Sequence, residues 1–282
     1  MHIQGNYGII NKIFAKEGRT TADEQLLTTE GLGAALAARG CDLPFAVLAC
    51  VDSTNSEAKR RIAAGDDRQQ LLLAREQTGG RGRMGRSFFS PAETGLYMTL
   101  TLGRAARLRD PALLTIAAAT ATADAIEALT GAPTAIKWVN DIYMAGRKVC
   151  GILCEAVTDG GGETAVLAGI GVNVATEDFP EELRHKAGAL PRAVDRAVLA
   201  AEITARLLRI WDAPEESDFL ATYRARSFVT GRRVRFLRDG AEREALALAI
   251  DDSGALLVRH DDGREEALRS GEVSVTLEGR TI

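Results

Sequence analysis

Short apolar runs and helical patterns alternate along most of the chain, and near the C-terminus the pattern changes to strands alone. Asp23 opens a helical stretch, EQLLTTEGLGAALAARG, which ends at Gly40 with Arg39 in its last turn. Pro44 then releases an apolar strand, FAVLACV, and the residues from Asp52 to Ala58 read as a strand end passing into a second helix. Ser53 or Thr54 stands at the N-cap of that helix, with Glu57 as capping-box partner. QQLLLARE at 69–76 and GLYMTLTL at 95–102 are strands on either side of a loop rich in glycine and arginine. The alanine-rich segment 110–131 starts at Asp110, has Pro111 in its first helical position and stops at Gly131, which predicts a buried helix lying across a sheet.

Strand patterns return between Thr134 and Val174 as TAIKWVNDIYM, RKVCGILCEAV and TAVLAGIGVNV. The last two are joined through DGGGE at 159–163, whose glycines permit the positive φ of a hairpin turn. Helices follow at 195–212 and 215–227. After Ser227 the short strands are separated by Asp-Gly, Ser-Gly and Asp-Asp-Gly turns, a pattern that suits a small β-barrel. The expected class is α+β: a mixed β-sheet with helices packed on it, followed by the barrel. Three units are expected, an N-terminal extension with one helix over 1–44, a main domain over 45–227 and a small domain over 228–282.

A chain of 282 residues with 46% hydrophobic composition has room for one large core and a small one. A formal net charge of −4 argues against a nucleic-acid footprint spread over the whole surface, while leaving a local basic patch open. The first residues, MHIQGNYGIINK, lack the apolar core of a signal peptide, and no run approaches the roughly 18 consecutive apolar residues of a membrane span. A cytoplasmic protein with no membrane partner is expected. Cys41, Cys50, Cys150 and Cys154 lie in apolar contexts and read as small hydrophobes, and His2, His185 and His260 are scattered, so no structural zinc site is expected.

The densest chemical signal runs from Gly79 to Arg86, where three arginines and four glycines fall within eight residues. Glycine lets backbone N–H groups approach an anion closely, and the guanidinium fork matches phosphate and carboxylate. The segment reads as a lid, mobile until it orders around a phosphorylated ligand; a solvated basic surface loop is the other reading. It contains neither G-x-x-x-x-G-K-[ST] nor a G-x-G-x-x-G opening a helix, so the nucleotide would be held in another way. Lys137, Asn140 and Asp141 place a cation, an amide and a carboxylate within five residues at a strand end, and Lys148 stands at the head of the apolar run VCGILCEA. Read singly, each suits a turn, a cap or a surface role. Together with the arginines they supply cations that could converge on one small acid and one polyphosphate.

These segments, taken in order, resemble the biotin protein ligases of the biotin/lipoyl ligase superfamily. The resemblance rests on VDSTNSEA (51–58), EQTGGRGRMGRSFFSP (76–91), GLYMTL (95–100), IKWVNDIY (136–143), RKVCGIL and Glu155 (147–155), and GIGVN (169–173), and it extends through GALLV and GEVSV near the C-terminus. It implies a class II synthetase-like catalytic domain and a C-terminal SH3-like barrel, in a monofunctional ligase without an N-terminal DNA-binding domain. The implied activity has two steps. Biotin and ATP give biotinyl-5′-AMP and pyrophosphate, and a lysine of a biotin carboxyl carrier protein then takes the biotinyl group.

The resemblance implies catalytic roles for Arg81, Lys137, Asp141 and Lys148. It implies biotin contacts from Ser53, Thr54, Asn55, Gln77, Gly80, Arg81, Gly82, Arg83, Lys148 and Gly151, and ATP contacts from Arg81, Arg83, Arg86, Lys137, Asn140, Lys148 and Asn173. Mg²⁺ would arrive with ATP near Asn140 and Asp141 rather than at a protein-only site. Val139 stands where the family usually has proline, and Phe88 where it usually has tryptophan. A lipoate-type ligase of the same superfamily is the nearest rival, but it lacks the GRGRxGR loop. A bifunctional ligase that is also a biotin-sensing repressor is the second rival. Only 44 residues precede Phe45 and they show no recognition helix, so DNA is not expected as a partner, and a homodimer is left open.

Overall fold

The computed structural model describes residues 26–103, 111–158, 164–277 and 280–281. Its centre is a seven-stranded sheet made of β1 (Phe45–Leu48), β2 (Gln70–Ala74), β3 (Gly95–Thr101), β4 (Ala135–Lys137), β5 (Asp141–Met144), β6 (Arg147–Thr158) and β7 (Thr164–Asn173). The order across the sheet is β1-β2-β3-β7-β6-β5-β4. β1 and β2 run parallel, which requires a crossover, and α2 (Thr54–Ala63) supplies it. The remaining neighbours are antiparallel. The turn expected at 159–163 lies outside the described residues, but the register Thr158↔Thr164 brings its two strands together as anticipated.

α2 packs on one face of this sheet through Ala58 and Ile62, and the larger helices cover the other. α1 (Thr29–Ala37) begins at Thr28, whose hydroxyl accepts the Gly31 N–H at 3.0 Å. It therefore starts later than its sequence pattern implied, because Leu26 to Thr28 are not helical; Asp23 lies outside the described residues. α3 (Pro111–Thr130) and α4 (Arg196–Asp212) pack on each other and on the sheet through Leu114, Ala117, Ile126, Leu199 and Ile203, which join Met98, Ile152 and Ile170 in one core. Asp110, the expected cap of α3, lies outside the described residues. The segment Ala112–Thr130 is long and apolar enough to cross a membrane, but 67% of it is buried inside the molecule, which is the condition of a core helix. The helix expected over 215–227 divides into a 3₁₀ turn at Pro214–Glu216 and α5 (Phe219–Arg226), because Ser217 is extended.

TAIKWVNDIYM, read from its sequence as one strand, is a hairpin: Lys137 pairs with Asp141, and Trp138, Val139 and Asn140 form the turn. Tertiary contacts hold that turn. The Trp138 indole donates to the Gly254 carbonyl at 3.0 Å, and the Tyr223 hydroxyl donates to the Val139 carbonyl at 3.0 Å.

The C-terminal strands, β8 (Arg233–Arg238), β9 (Ala241–Ile250), β10 (Leu256–Arg259), β11 (Glu265–Leu268), β12 (Val273–Leu277) and β13 (Arg280–Thr281), form a six-stranded antiparallel sheet in the order β11-β10-β9-β8-β12-β13. Asp239 and Gly240, both at positive φ, make the tight turn between β8 and β9. This antiparallel sheet is the unit in which the small β-barrel was anticipated, and among the described residues β11 and β13 are its outer strands. Its apolar face, with Val234, Phe236, Ala245 and Val275, is continuous with the main core.

Candidate active site

Three glycines make the floor of the site. The register aligns Thr99 on β3, Gly169 on β7 and Leu153 on β6, and two residues further along it aligns Tyr97, Gly171 and Gly151. These residues share the face opposite α3 and α4. A Cβ on Gly169 would stand 2.2 Å from Asn55 Oδ1, and one on Gly171 would stand 2.6 Å from the Phe88 ring. The absence of side chains there lets Asn55 and Phe88 lie against the sheet itself.

Asn55 comes from the first turn of α2, which is capped in an unexpected way. Ser53 is the N-cap residue but makes no side-chain capping bond, and Glu57 turns instead to Arg60 at 3.0 Å and Arg61 at 3.2 Å. Gln77, from the strand side of the lid, takes over. Its Oε1 accepts the Thr54 N–H at 2.8 Å while its Nε2 donates to Ser90 Oγ at 2.9 Å. The capping box expected from sequence is therefore absent, and Ser53, Thr54, Asn55 and Gln77 line a cleft of about 300 Å³ over Gly169 and Gly171.

The loop from Gly79 to Ser90 is a compact hairpin. Gly82 N–H donates to the Arg86 carbonyl at 2.7 Å, Phe88 N–H donates to the Gly80 carbonyl at 2.9 Å, and Arg81 bridges to Ser87. Met84 and Gly85, at φ 54° and 75°, make its tip. A Cβ on Gly80 would stand 2.3 Å from the Phe88 carbonyl, so glycine is what lets the legs of the loop close. Two arginines tie it down: Arg83 donates to Asn140 Oδ1 at 3.3 Å, and Arg86 meets Glu272 at 2.6 Å. Glu272 comes from the C-terminal sheet region, just before β12.

A second, larger cleft of about 600 Å³ opens under this loop and contains Arg81, Arg83, Arg86, Lys137, Asn140, Asp141 and Lys148. Lys148 pairs with Asp141 at 2.6 Å, and the buried Lys137 ammonium lies 3.7 Å from Glu272. Among the described lining residues five cations face two carboxylates, so an anion entering here meets a positive field. Burial lowers the pKa of Lys137 despite the support of Asp141 and Glu272, and burial lowers that of Arg83 as well. The two clefts share Arg81, Phe88 and Gly151. A small acid lying in the first cleft would thus meet the cations of the second at that boundary.

Most of the residues singled out in the sequence meet here, though not always where expected. Ser53, Thr54, Asn55, Gln77, Arg81 and Gly151 line the first cleft, whereas Gly82, Arg83 and Lys148, expected beside biotin, line the second. Gly80 lines neither and shapes the loop. Asn173 also lines neither; it is buried, with Nδ2 donating to the Gly188 carbonyl at 3.0 Å. Glu272, Thr99 and Glu155 were not assigned a role from sequence. Gly169 and Gly171 lie in the GIGVN word, and Glu155 closes the RKVCGIL segment, but their sequence shows no partners. Burial raises the thiol pKa of Cys150 and Cys154, the latter to about 12. The described residues contain no group of three His, Cys, Asp or Glu side chains placed to hold a metal ion.

Residues 47–173 match the biotin/lipoate A/B protein ligase family and residues 229–276 match the biotin protein ligase C terminal domain. The chain is 36% identical to a biotin--[acetyl-CoA-carboxylase] ligase from Paracoccus denitrificans, with 78% of this chain and 95% of that protein covered. It is 31% identical to a bifunctional ligase/repressor BirA from Bacillus spizizenii, over 76% of this chain and 68% of that protein. The structure of a biotin protein ligase from Aquifex aeolicus in complex with biotin and ATP superimposes with a TM-score of 0.70 at 25% identity, covering 83% of this chain and 98% of that one.

Proposed function

The chain belongs to the biotin/lipoate A/B protein ligase family, and from that premise we propose that it joins biotin to AMP at the expense of ATP and passes the biotinyl group to a lysine of a biotin carrier domain. The observation that carries this reading is the shared wall of Arg81, Phe88 and Gly151, which joins a small amide- and hydroxyl-lined cleft to a cation-rich one. The cyclic urea of biotin suits the hydroxyls and amides of Ser53, Thr54, Asn55 and Gln77. Its carboxylate then points toward Arg81 and Lys148.

In the first step a carboxylate oxygen attacks the α-phosphorus, the bond to the β-phosphate bridging oxygen breaks, and pyrophosphate leaves. Two anions must approach each other, so catalysis depends on fixed positive charge that offsets their repulsion and the charge of the transition state. Arg81 and Lys148 serve the carboxylate and α-phosphate, and Arg83, Arg86 and Lys137 hold the polyphosphate. Asn140 Oδ1 already accepts from Arg83 and Asp141 faces Lys148, so the protein has few oxygens to give to Mg²⁺. The ion would be held mainly by phosphate and water, with Asn140 and Asp141 beside it, and when bound it would neutralise phosphate charge.

In the second step the amine of the acceptor lysine attacks the acyl carbon and AMP leaves. An unperturbed lysine has a pKa near 10.4, which leaves well under ~1% neutral amine at pH 7, so a carboxylate must orient it and take its proton. Asp141, which lines the cationic cleft, would do that work. Closure of the Gly79–Ser90 loop keeps water from the mixed anhydride. The chain acts in the cytoplasm, with residues 45–227 carrying the chemistry and residues 228–282 supplying Glu272 to its edge.

Mass spectrometry of the purified chain incubated with biotin and ATP tests this reading. Tightly held biotinyl-AMP is the expected result, with no adenylate when lipoate replaces biotin. Failure to form biotinyl-AMP, or equal use of lipoate, overturns it.

A further inference from the structure

Glu155 lies on β6 two residues beyond Leu153, on the same face of the strand, and lines neither cleft. Its two carboxylate oxygens are both engaged. Oε2 accepts from Asn55 Nδ2 at 2.9 Å, and Oε1 receives the Lys59 ammonium at 2.6 Å. The second hydrogen of Asn55 Nδ2 goes to the Leu153 carbonyl at 3.1 Å. Both amide hydrogens of Asn55 are thus spent on the β6 side, and its Oδ1 accepts from the Thr99 hydroxyl at 2.6 Å. The amide lies over Gly169, where any side chain would collide with it.

A flipped amide would set its oxygen against a carbonyl and a carboxylate, neither of which has a hydrogen to give. Leu153 alone presents one acceptor; the charged second acceptor, held in place by Lys59, makes the orientation one-sided. The consequence reaches the cleft. Asn55 is one of its lining residues, and an amide oxygen with one lone pair on Thr99 keeps a second for a ligand. A cyclic urea has N–H groups for such an acceptor, and a flipped amide would meet them with N–H groups of its own.

We propose that Glu155 is a positioning residue, which locks the Asn55 amide with its oxygen toward the ligand and so fixes the hydrogen-bond pattern offered to the urea ring of biotin. The inference rests on the assignment of the first cleft to biotin. It adds a specificity role for a residue that touches no substrate.

The test uses the full chain and measures pyrophosphate release while biotin and ATP are varied separately. Glu155→Gln, which keeps the shape but offers Asn55 no charged acceptor, should raise the KM for biotin about tenfold. The KM for ATP and the turnover at saturating biotin should stay within about threefold of the parent, since the cationic cleft keeps its residues. Asn55→Ala should also raise the biotin KM. Because Glu155 acts through Asn55, the double variant should match Asn55→Ala within about twofold. An unchanged biotin KM in Glu155→Gln, losses that multiply in the double variant, or an equal loss in both KM values and turnover would each overturn the role. If Asn55→Ala fails to fold, the split between the two KM values in Glu155→Gln decides alone. Absence of biotin-dependent pyrophosphate release from the parent chain would instead overturn the ligase reading.

Discussion

Lys148 and Asp141 meet at 2.6 Å, so the charge proposed for one step of the reaction is held by the carboxylate proposed for the other. Loss of the ammonium removes a charge-assisted contact in a site partly shielded from water, worth roughly 2–4 kcal/mol. Lys148→Ala should therefore slow adenylate formation about 30- to 1000-fold with the fold intact, as read by pyrophosphate release and circular dichroism. An adenylation rate equal to the parent's would remove Lys148 from the mechanism. Lys137 differs because it is buried, which lowers its pKa. The unfolded chain then holds that proton more tightly than the folded one. The cost of burying the charge is present below the folded pKa and is relieved as pH rises from there toward the unfolded value. The same rise removes the cation proposed to hold the polyphosphate. ATP affinity should fall as pH increases through the lowered pKa, and Lys137→Arg, charged throughout, should hold its affinity over the same range in calorimetric titrations.

The Gly79–Ser90 loop, proposed as a lid, and the glycine floor act as elements rather than as single residues. Gly169 stands where strand register brings Thr99 and Leu153 level with Asn55, and its missing side chain is the space Asn55 occupies. Gly169→Ala should cost about 1–3 kcal/mol of stability through overpacking. It should also abolish measurable biotin binding, whereas ATP binding persists; retained biotin affinity in calorimetry would show that Asn55 can move without consequence. The lid keeps its shape with its own hydrogen bonds, and Arg81 and Arg86 on it are exposed. Trypsin should nick it at those positions, and biotin with ATP should suppress the cleavage as the arginines engage anions. Cleavage that stays constant at saturating ligand would count against closure.

At the scale of the whole molecule the two sheets share one apolar core, which runs from Leu32 in α1 to Val275 in β12. Polar contacts cross the same boundary. Trp138 donates to Gly254, Arg224 Nε donates to the Ile250 carbonyl at 2.7 Å, and Glu272 pairs with Arg86 on the lid. Such continuity predicts one cooperative unfolding transition in calorimetry, with a calorimetric enthalpy equal to the van't Hoff value. Two separated transitions would show that the C-terminal sheet melts alone.

Local chemistry in the chain determined a great deal. The run of glycine and arginine from Gly79 to Arg86 marked the loop whose arginines line the cation-rich cleft, because those residue types carry their charge wherever the backbone takes them. Short apolar runs gave the strands β2, β3, β6 and β7, since strands in the middle of a sheet covered on both faces bury nearly every side chain, as β2 and β3 do. Words such as VDSTNSEA and RKVCGIL identified the family before any contact was known. Contacts between distant segments were decided only by the fold. Gln77 replaced Glu57 as the partner of the α2 N-terminus because strand pairing carries Gln77 there. Asn173, assigned to ATP by the resemblance, is buried and also donates to the Gly188 carbonyl, a contact that its sequence neighbours do not announce. Glu272 entered the cation cluster from a sheet far away in sequence, and Glu155 found Asn55 a hundred residues upstream across Gly169. A sequence states which groups a chain possesses, whereas register and packing decide which of them meet, since hydrogen bonds and ion pairs act over a few ångströms and not along the chain.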